Sequence, residues 1–440
     1  MCESLAVNAV ADGLRGVVAT AQLAPGDLLL GLPTSCTCFS SVTSRAEAHR
    51  GLGALLTSLD VCDEASLALW LAVAHVAAPG ECALSAYAHA LPEEPPDLPA
   101  LWPPEQAHAL LPWWVLDAHE ECAASFQASL HAACSAATRL AEPHPTAERL
   151  SWALAHVRAR AIRFEVLGRD GSRVWSKCLM PLVDSQNHAI TPLPASAAPL
   201  LRCCQQHEAA LCAERQLGCA ASAVDFADGG ARWLAARPVA AGEQVSWSYG
   251  ALSNEALLLQ FGFVPSPGLH AHACLELTLP ESAFADALRR RGASGDARVA
   301  EAREALLLGA GALGMAPGEE ALFCVTAAEA PAELMAVCGA ICLSTPLELA
   351  AYERLQAAGD AGADVAEPAG LEHAQRSRAL AAQLLRAAAV QWCGPEAPAV
   401  VQAAPARLAA VSALRQAATA TLLTAAQAAE TAAVPVLGME

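Results

Sequence analysis

Short strand-like runs open this chain, give way to a long helical block and resume only after it, which reads as a β fold carrying a helical insertion. Val7 to Val10, Gly16 to Thr20 and Leu28 to Leu32 are mostly apolar runs separated by Gly, Asp and Pro, the pattern of a meander of short strands. From Ala46 to about Leu150 the period changes. Leu67, Trp70, Leu71 and Ala74 fall at i, i+3, i+4, i+7 spacing, and the proline-rich loop Pro92 to Pro104 interrupts the helices. Ser151 to Arg163 reads as a further helix. Strand-like alternation returns over Ser172 to Leu182 and Arg232 to Ser248, with Asp228-Gly229-Gly230 as a hairpin-type turn. Past Pro265-Ser266-Pro267-Gly268 the sequence is alanine-rich helix broken at Gly292 to Asp296, Gly359 to Asp364 and Cys393 to Pro398. Its leucines hold no heptad, so a packed helical domain is expected rather than a coiled coil.

Composition limits what such a chain can do. Its 440 residues, 55% of them hydrophobic, suffice for two or three domains with ample cores. The longest uncharged run, Ala256 to Leu275, is broken by Pro265, Pro267, Gly268, His270 and His272, so no membrane span is expected. The net charge is −19, and the 26 basic residues include a single lysine, Lys177. An acidic surface repels phosphates and attracts basic segments, which argues against nucleic acid and for a protein partner with a basic surface; the chain itself is expected to be a monomer. Solubility alone would also account for the charge. Seventeen scattered cysteines, an odd number with no secretion signal ahead of them, point to reduced thiols in a cytoplasmic or nuclear compartment. Cys36-x-Cys38, Cys203-Cys204 and Cys338-x3-Cys342 lack four-ligand zinc spacing and read as packing residues. Met1-Cys2-Glu3-Ser4-Leu5 has no positive region, so no cleavable targeting segment is expected.

Two strings on either side of the second set of strands carry polar residues in a suggestive order: Asp184-Ser185-Gln186-Asn187-His188, and Gly242-Glu243-Gln244-Val245-Ser246-Trp247-Ser248-Tyr249-Gly250-Ala251-Leu252-Ser253-Asn254. Near the start stand Gly13-Leu14-Arg15-Gly16-Val17-Val18-Ala19-Thr20 and Ala24-Pro25-Gly26-Asp27. Each piece has a plain alternative. An isolated Asn-His reads as an Asx-type turn, a buried tyrosine as a core residue with a satisfied hydroxyl, and Gly-x-x-Gly as an ordinary tight turn.

Taken together, these strings resemble the two halves of a SET-domain methyltransferase active site, in the class typified by the Rubisco large-subunit lysine methyltransferases. Ala86-Tyr87 ahead of Leu91-Pro92-Glu93, the stretch Trp152 to Arg160, and Leu257 to Val264 extend the resemblance, which covers roughly residues 10 to 265. It implies an α+β chain: a SET β-fold with a pseudoknot over 1–264, a helical subdomain inserted at about 46–150, and an all-α C-terminal substrate-binding domain over 265–440. It also implies S-adenosylmethionine as cofactor and no metal, in keeping with a sequence that has no HExxH, Walker A or GxSxG string.

By the same resemblance Asn187 and His188 hold the cofactor, and Gly13, Arg15 and Gly16 form its first turn. Arg160 neighbours its carboxylate, Asp184 opens the Asn-His segment, and Tyr249 is the catalytic tyrosine. For Arg160 and Asp184 a surface salt bridge is the alternative. The chain departs from the pattern at Ala189, where the class commonly has Ser or Thr, and at the turn, where Asp12 or Gly13 stands in the place of an acidic residue. Ile162, Val183 and Phe261 are expected to line the acceptor channel. Asp170 to Val174 looks closest to the actin-histidine methyltransferases, which carry polar Asn and bulky Trp at the places of Ile162 and Val183. An apolar channel lowers the pKa of an ammonium and delivers a neutral amine, which favours lysine. The reading is S-adenosylmethionine-dependent protein-lysine N-methylation, with protein-histidine methylation or a SET-derived binding module without turnover as alternatives.

Overall fold

The computed structural model of the protein describes residues 4–10, 15–33, 39–40, 49–58, 61–78, 80–167, 173–189, 222–227, 230–250, 252–265, 274–292, 295–309, 320–326, 330–358, 368–393 and 404–431. The chain divides into two compact units: Met1–Thr191 with His207–Val264 and Ala403–Ala410, and Pro192–Gln206 with Pro265–Gln402 and Val411–Glu440.

The first unit builds its β structure from small antiparallel sheets. β1 (Leu5–Ala9) pairs with β2 (Arg15–Ala19), Leu5 opposite Ala19 and Ala9 opposite Arg15. β3 (Leu28–Pro33) pairs with β8 (Gly230–Ala235), which pairs with β7 (Ser222–Ala227), so segments from before and after the helical block share one sheet. β4 (Phe39–Ser40), β6 (Arg173–Leu179) and β5 (Ile162–Leu167) form another, in the order β4-β6-β5. Val17, Leu23, Leu29, Cys178, Met180, Trp233, Val239 and Val245 are buried in a common apolar cluster, which ties these sheets together across the insertion.

Two strand expectations change. Helix ends at Arg160 rather than Arg163, because Ala161 turns extended (φ −71°, ψ 128°) and the next residues pair with β6, Ile162 opposite Cys178. Arg232 to Ser248 is not one strand. β8 stops at Ala235, ahead of Pro238 and of Gly242 at φ 82°, and the described chain beyond it pairs in isolated bridges, Val239 to Leu23, Gln244 to Val18 and Trp247 to His188, instead of a continuous ladder. Ala227 faces Gly230 across the expected hairpin turn, whose Asp228 and Gly229 lie outside the described residues.

The inserted subdomain holds α1 (Leu52–Ser58), α2 (Asp63–Val76), α3 (Ser85–Ala90), α4 (Pro104–Leu110) and α5 (Trp113–Ala137), followed by α6 (Ala147–Arg160). Every residue of α2 from Ala65 to Ala74 is buried, so this helix runs through the core instead of along its surface. Thr146 caps α6, its side chain accepting from the Arg149 N–H at 3.2 Å. On the flank of α2, burial pushes the Glu64 carboxyl up, but Lys177 and Arg158, the latter at 2.9 Å, outweigh it and hold it below its ordinary value.

α7 (Asn254–Phe261) is the last element of the first unit before the chain enters the second at Pro265. Ser253 caps its start by accepting from the Ala256 N–H at 3.2 Å, and Gly262 ends it in the left-handed region at φ 80°. A Cβ at Gly262 would stand 2.8 Å from the Asp97 carbonyl oxygen. Gly262→Ala is therefore expected to cost at least about 1–2 kcal/mol, the left-handed penalty alone, read as a lower urea midpoint. An unchanged midpoint would show that the helix end does not depend on glycine.

The second unit is helical, with α8 (Glu281–Arg291), α9 (Ala297–Gly309), α10 (Ala332–Cys342), α11 (Pro346–Ala358), α12 (Pro368–Cys393) and most of α13 (Pro405–Thr431). One addition to the all-helical expectation is β9 (Cys274–Pro280), antiparallel to β10 (Glu320–Thr326). Leu275, Leu277 and Leu279 alternate on its buried face, a period of two that the surrounding alanines conceal. Among the described residues no helix is long and apolar enough to cross a membrane.

Candidate active site

The two polar strings meet in space. Trp247 pairs in parallel with His188, its N–H donating to the Asn187 carbonyl at 3.2 Å while its carbonyl accepts from the Ala189 N–H at 2.9 Å. Two residues earlier the Val245 N–H donates to Val17 at 2.7 Å, so the C-terminal string lies between β2 and the Asn-His segment, the pairing a pseudoknot calls for. Ala189 is buried and takes part through its main chain, so this pairing needs no hydroxyl there.

Side chains complete the junction. Asn187 Nδ2 donates to the Arg15 carbonyl at 3.2 Å, and a Cβ at Gly16 would sit 2.9 Å from that nitrogen, so the amide packs where only glycine leaves room. His188 Nδ1 accepts from the Tyr249 N–H at 3.1 Å, which fixes that nitrogen as unprotonated. The Tyr249 hydroxyl donates to the Gln186 carbonyl at 2.9 Å. Burial pushes this phenol up to about 12, against the pull of the nearby Arg160, so it stays protonated through the neutral range.

Aromatic rings surround the Tyr249 ring. Phe261 lies 4.8 Å from the Tyr249 ring, His188 5.1 Å, Trp247 6.1 Å and Phe263 6.5 Å. Phe263 is not among the residues singled out in the sequence, although it stands two residues past Phe261 in the same motif.

Beneath the Asn-His segment, Asp184 is buried, and its environment is not the surface salt bridge one reading allowed. Arg160 Nη1 donates to the Asp184 main-chain carbonyl at 3.2 Å, not to its carboxyl, while Arg160 Nε donates to His156 Nδ1 at 3.4 Å. The carboxyl instead accepts from the Tyr87 hydroxyl, and from Ser185 Oγ at 3.3 Å. Burial raises Asp184 to about 6, with Arg160 and the Tyr87 and Ser185 hydrogen bonds pulling the other way. His156 is fully buried and held down to about 3, first by burial and then by Arg160, and its Nε2 meets the Pro92 carbonyl at 3.2 Å.

Other expected residues fall differently. Ile162 is half-buried at the start of β5 and packs on the core cluster. Val183 has no exposed surface and belongs to that cluster, so the structure gives it a place in the core rather than on an open channel. Gly13 lies outside the described residues, whereas Arg15 is exposed and reaches the Ala90 carbonyl at 3.0 Å.

No protein-family model matches this chain, and no curated protein matches it. Among solved structures it is similar to a crystal structure of the SET domain of LSMT bound to lysine and AdoHcy, at 17% identity and a TM-score of 0.53, with 97% of this chain and 86% of that chain covered. It is likewise similar to a structure of Rubisco LSMT bound to AdoMet, at 17% identity and a TM-score of 0.50, with the same shares covered. The chain has the SET fold of these LSMT structures.

Proposed function

We propose that this chain is an S-adenosylmethionine-dependent protein-lysine N-methyltransferase. The observation that carries the reading is the Tyr249 hydroxyl, fixed on the Gln186 carbonyl among aromatic rings and one residue from the paired Asn187-His188 segment. The solved structures of this fold support it, being bound to AdoMet, or to AdoHcy with lysine.

The residues present fit the cofactor. Arg160 keeps Nη2, and Asn187 keeps Oδ1, without partners among the described residues. An amino-acid moiety brings one carboxylate for the guanidinium and one ammonium for the amide oxygen. Arg160, Asn187, His188 and the Arg15-Gly16 turn are the residues that would hold it. When bound, the cofactor supplies a methyl group on a positive sulfur, open to in-line displacement by a nitrogen.

The protein's part is alignment. Because the Tyr249 hydroxyl hydrogen is committed to Gln186, the lone pairs of its oxygen remain to accept from an amine N–H and aim the nitrogen. A phenol raised to about 12 is no base at pH 7 to 9, so it orients the amine without deprotonating it. Half-buried Ile162 and the rings of Phe261 and Phe263 offer an apolar surround, which disfavours the ammonium form and frees the nucleophile. With a net charge of −19 the chain suits a target segment that is basic, and the helical second unit is the candidate for recognising it.

Incubation with methyl-labelled S-adenosylmethionine and a proteome lysate, followed by mass spectrometry, is expected to give methyl-lysine as the main product. Self-labelling gives little background, since Lys177 is the only lysine and is engaged by Glu64. Methyl-histidine as the main product would replace lysine as acceptor, and cofactor binding with no labelled product would make the chain a binding module. Calorimetry is expected to show Asn187→Ala binding the cofactor at least several-fold more weakly, since a hydrogen bond to a charged group contributes about 1.5–3 kcal/mol. Unchanged affinity would remove Asn187 from the site.

A further inference from the structure

We infer that Tyr87, on the inserted subdomain, is a positioning residue for the cofactor segment: its hydroxyl holds the buried Asp184 carboxyl and so fixes the main chain from Asp184 to His188. The inference rests on the proposed cofactor site.

The geometry starts with α3, a six-residue helix too short to hold itself. The structure pins it at both ends. The Gly80 N–H donates to Ser85 Oγ at 3.0 Å, the Ser85 N–H to the Cys82 carbonyl at 3.0 Å, and His89 Nε2 meets the Ala77 carbonyl at 3.0 Å. Just past the helix, the Pro92 carbonyl accepts from Trp152 Nε1 at 3.0 Å and meets His156 Nε2 at 3.2 Å. Leu84 and Ala88 are fully buried in the subdomain core, with Tyr87 packed against it. Tyr87 is thus presented from a rigid platform.

From that platform α3 reaches both pieces of the proposed cofactor site. Tyr87 donates to the Asp184 carboxyl, and the Ala90 carbonyl accepts from Arg15 Nη1 at 3.0 Å. Asp184 passes the constraint on: its N–H donates to the Met180 carbonyl at 3.0 Å, its own carbonyl accepts from Arg160, and two residues later the Gln186 carbonyl accepts from Tyr249. A buried carboxylate is costly unless donors surround it, and Tyr87 is the donor that comes from outside the segment. Burial, and the Asp184 charge beside it, push the Tyr87 phenol well above its ordinary value, so it remains a donor at any working pH. The groups facing the Asp184 carboxyl are Tyr87 on α3, Arg160 on α6, Ser185 and the Met180 main chain in its own segment, and the more distant Tyr249 phenol.

The test is Tyr87→Phe in the full chain, with Tyr352→Phe as control. Tyr352 lies in the second unit and donates to the Ala336 carbonyl at 3.2 Å, so its loss reports a merely structural hydrogen bond. Calorimetry with S-adenosylmethionine is expected to show affinity weakened about tenfold in Tyr87→Phe, the scale of one lost hydrogen bond to a charged group, and unchanged in Tyr352→Phe. Turnover at saturating cofactor is expected to fall less than cofactor affinity does, since the Tyr249 hydroxyl remains while the Gln186 carbonyl it donates to is held less firmly. Carboxyl 13C NMR is expected to show the Asp184 midpoint moving up from about 6 in Tyr87→Phe alone. Equal cofactor affinity in parent and Tyr87→Phe would overturn the inference while leaving the proposed function standing. A parent that binds no cofactor would remove the proposed function and the inference with it. If Tyr87→Phe fails to fold, Asp184→Asn, which keeps an acceptor for Tyr87, paired with Asp184→Ala, which does not, replaces it; equal affinities in that pair would overturn the inference.

Discussion

Replacing Tyr249 with phenylalanine is expected to lower turnover by about 10² or more while leaving cofactor affinity nearly intact, the scale for deleting one preorganised hydrogen-bonding group at a reacting centre. The separation follows from where the hydroxyl sits. The Tyr249 main chain, which bonds His188, and the ring, which packs on Phe261 at 4.8 Å, are both kept by phenylalanine. Only the oxygen goes, and with it the bond to Gln186 and the lone pairs that would aim the amine. Because the phenol is raised to about 12, the parent should show no activity limb from it between pH 7 and 9, and a rise with pH over that range would report the substrate amine shedding its proton. Single-turnover rates with calorimetric affinities measure both halves. A variant that turns over at the parental rate would make Tyr249 a packing residue and remove the mechanism.

Tyr249 was legible because tyrosine is scarce here, three in the chain, and one stands inside a recognisable string. Asn187, His188 and Gly16 also stand in local strings, and the structure brings them together: Trp247 pairs with His188, and the Asn187 amide packs against Gly16. Tyr87 was visible only as part of a resemblance. Its partner lies 97 residues away, and nothing in either local sequence announces that a short helix of the insertion will face the Asn-His segment. Val183 shows the opposite failure. Its neighbours Asp184 and Asn187 take part in the hydrogen bonds of the proposed site, but Val183 itself is taken up by the core. The apolar run at β3 and the alternation at β6 match strands, whereas at Arg232 to Ser248 Pro238 and the positive φ of Gly242 end regular pairing. At Ala161 to Arg163 the expected helix runs past its end, because the residues up to Ala161 are good helix formers and the change to a period of two takes several residues to show.

Asp184→Asn is expected to stabilise the chain relative to the parent as pH rises from about 4 through about 6. The carboxyl is raised to about 6 when folded against an ordinary value of 3.8, chiefly by burial, so the folded state binds the extra proton over that interval. Stability contributed by this group is therefore complete below about pH 4 and is lost as pH rises through about 6, to a total of about 3 kcal/mol for a shift of this size. Asparagine keeps an acceptor for the Tyr87 hydroxyl but carries no charge to desolvate, so the variant escapes that loss. Carboxylates held below their ordinary values, such as Glu64 and Glu348, act in the opposite direction, but they are common to both proteins and cancel in the difference. Urea unfolding of parent and variant from pH 4 to pH 8 should show the difference moving toward the variant by about 3 kcal/mol, most of it between pH 4 and pH 7. A difference that stays flat would mean that the carboxyl ionises in the folded chain as readily as in the unfolded one. The Tyr87, Arg160 and Ser185 contacts would then be compensating its charge in full.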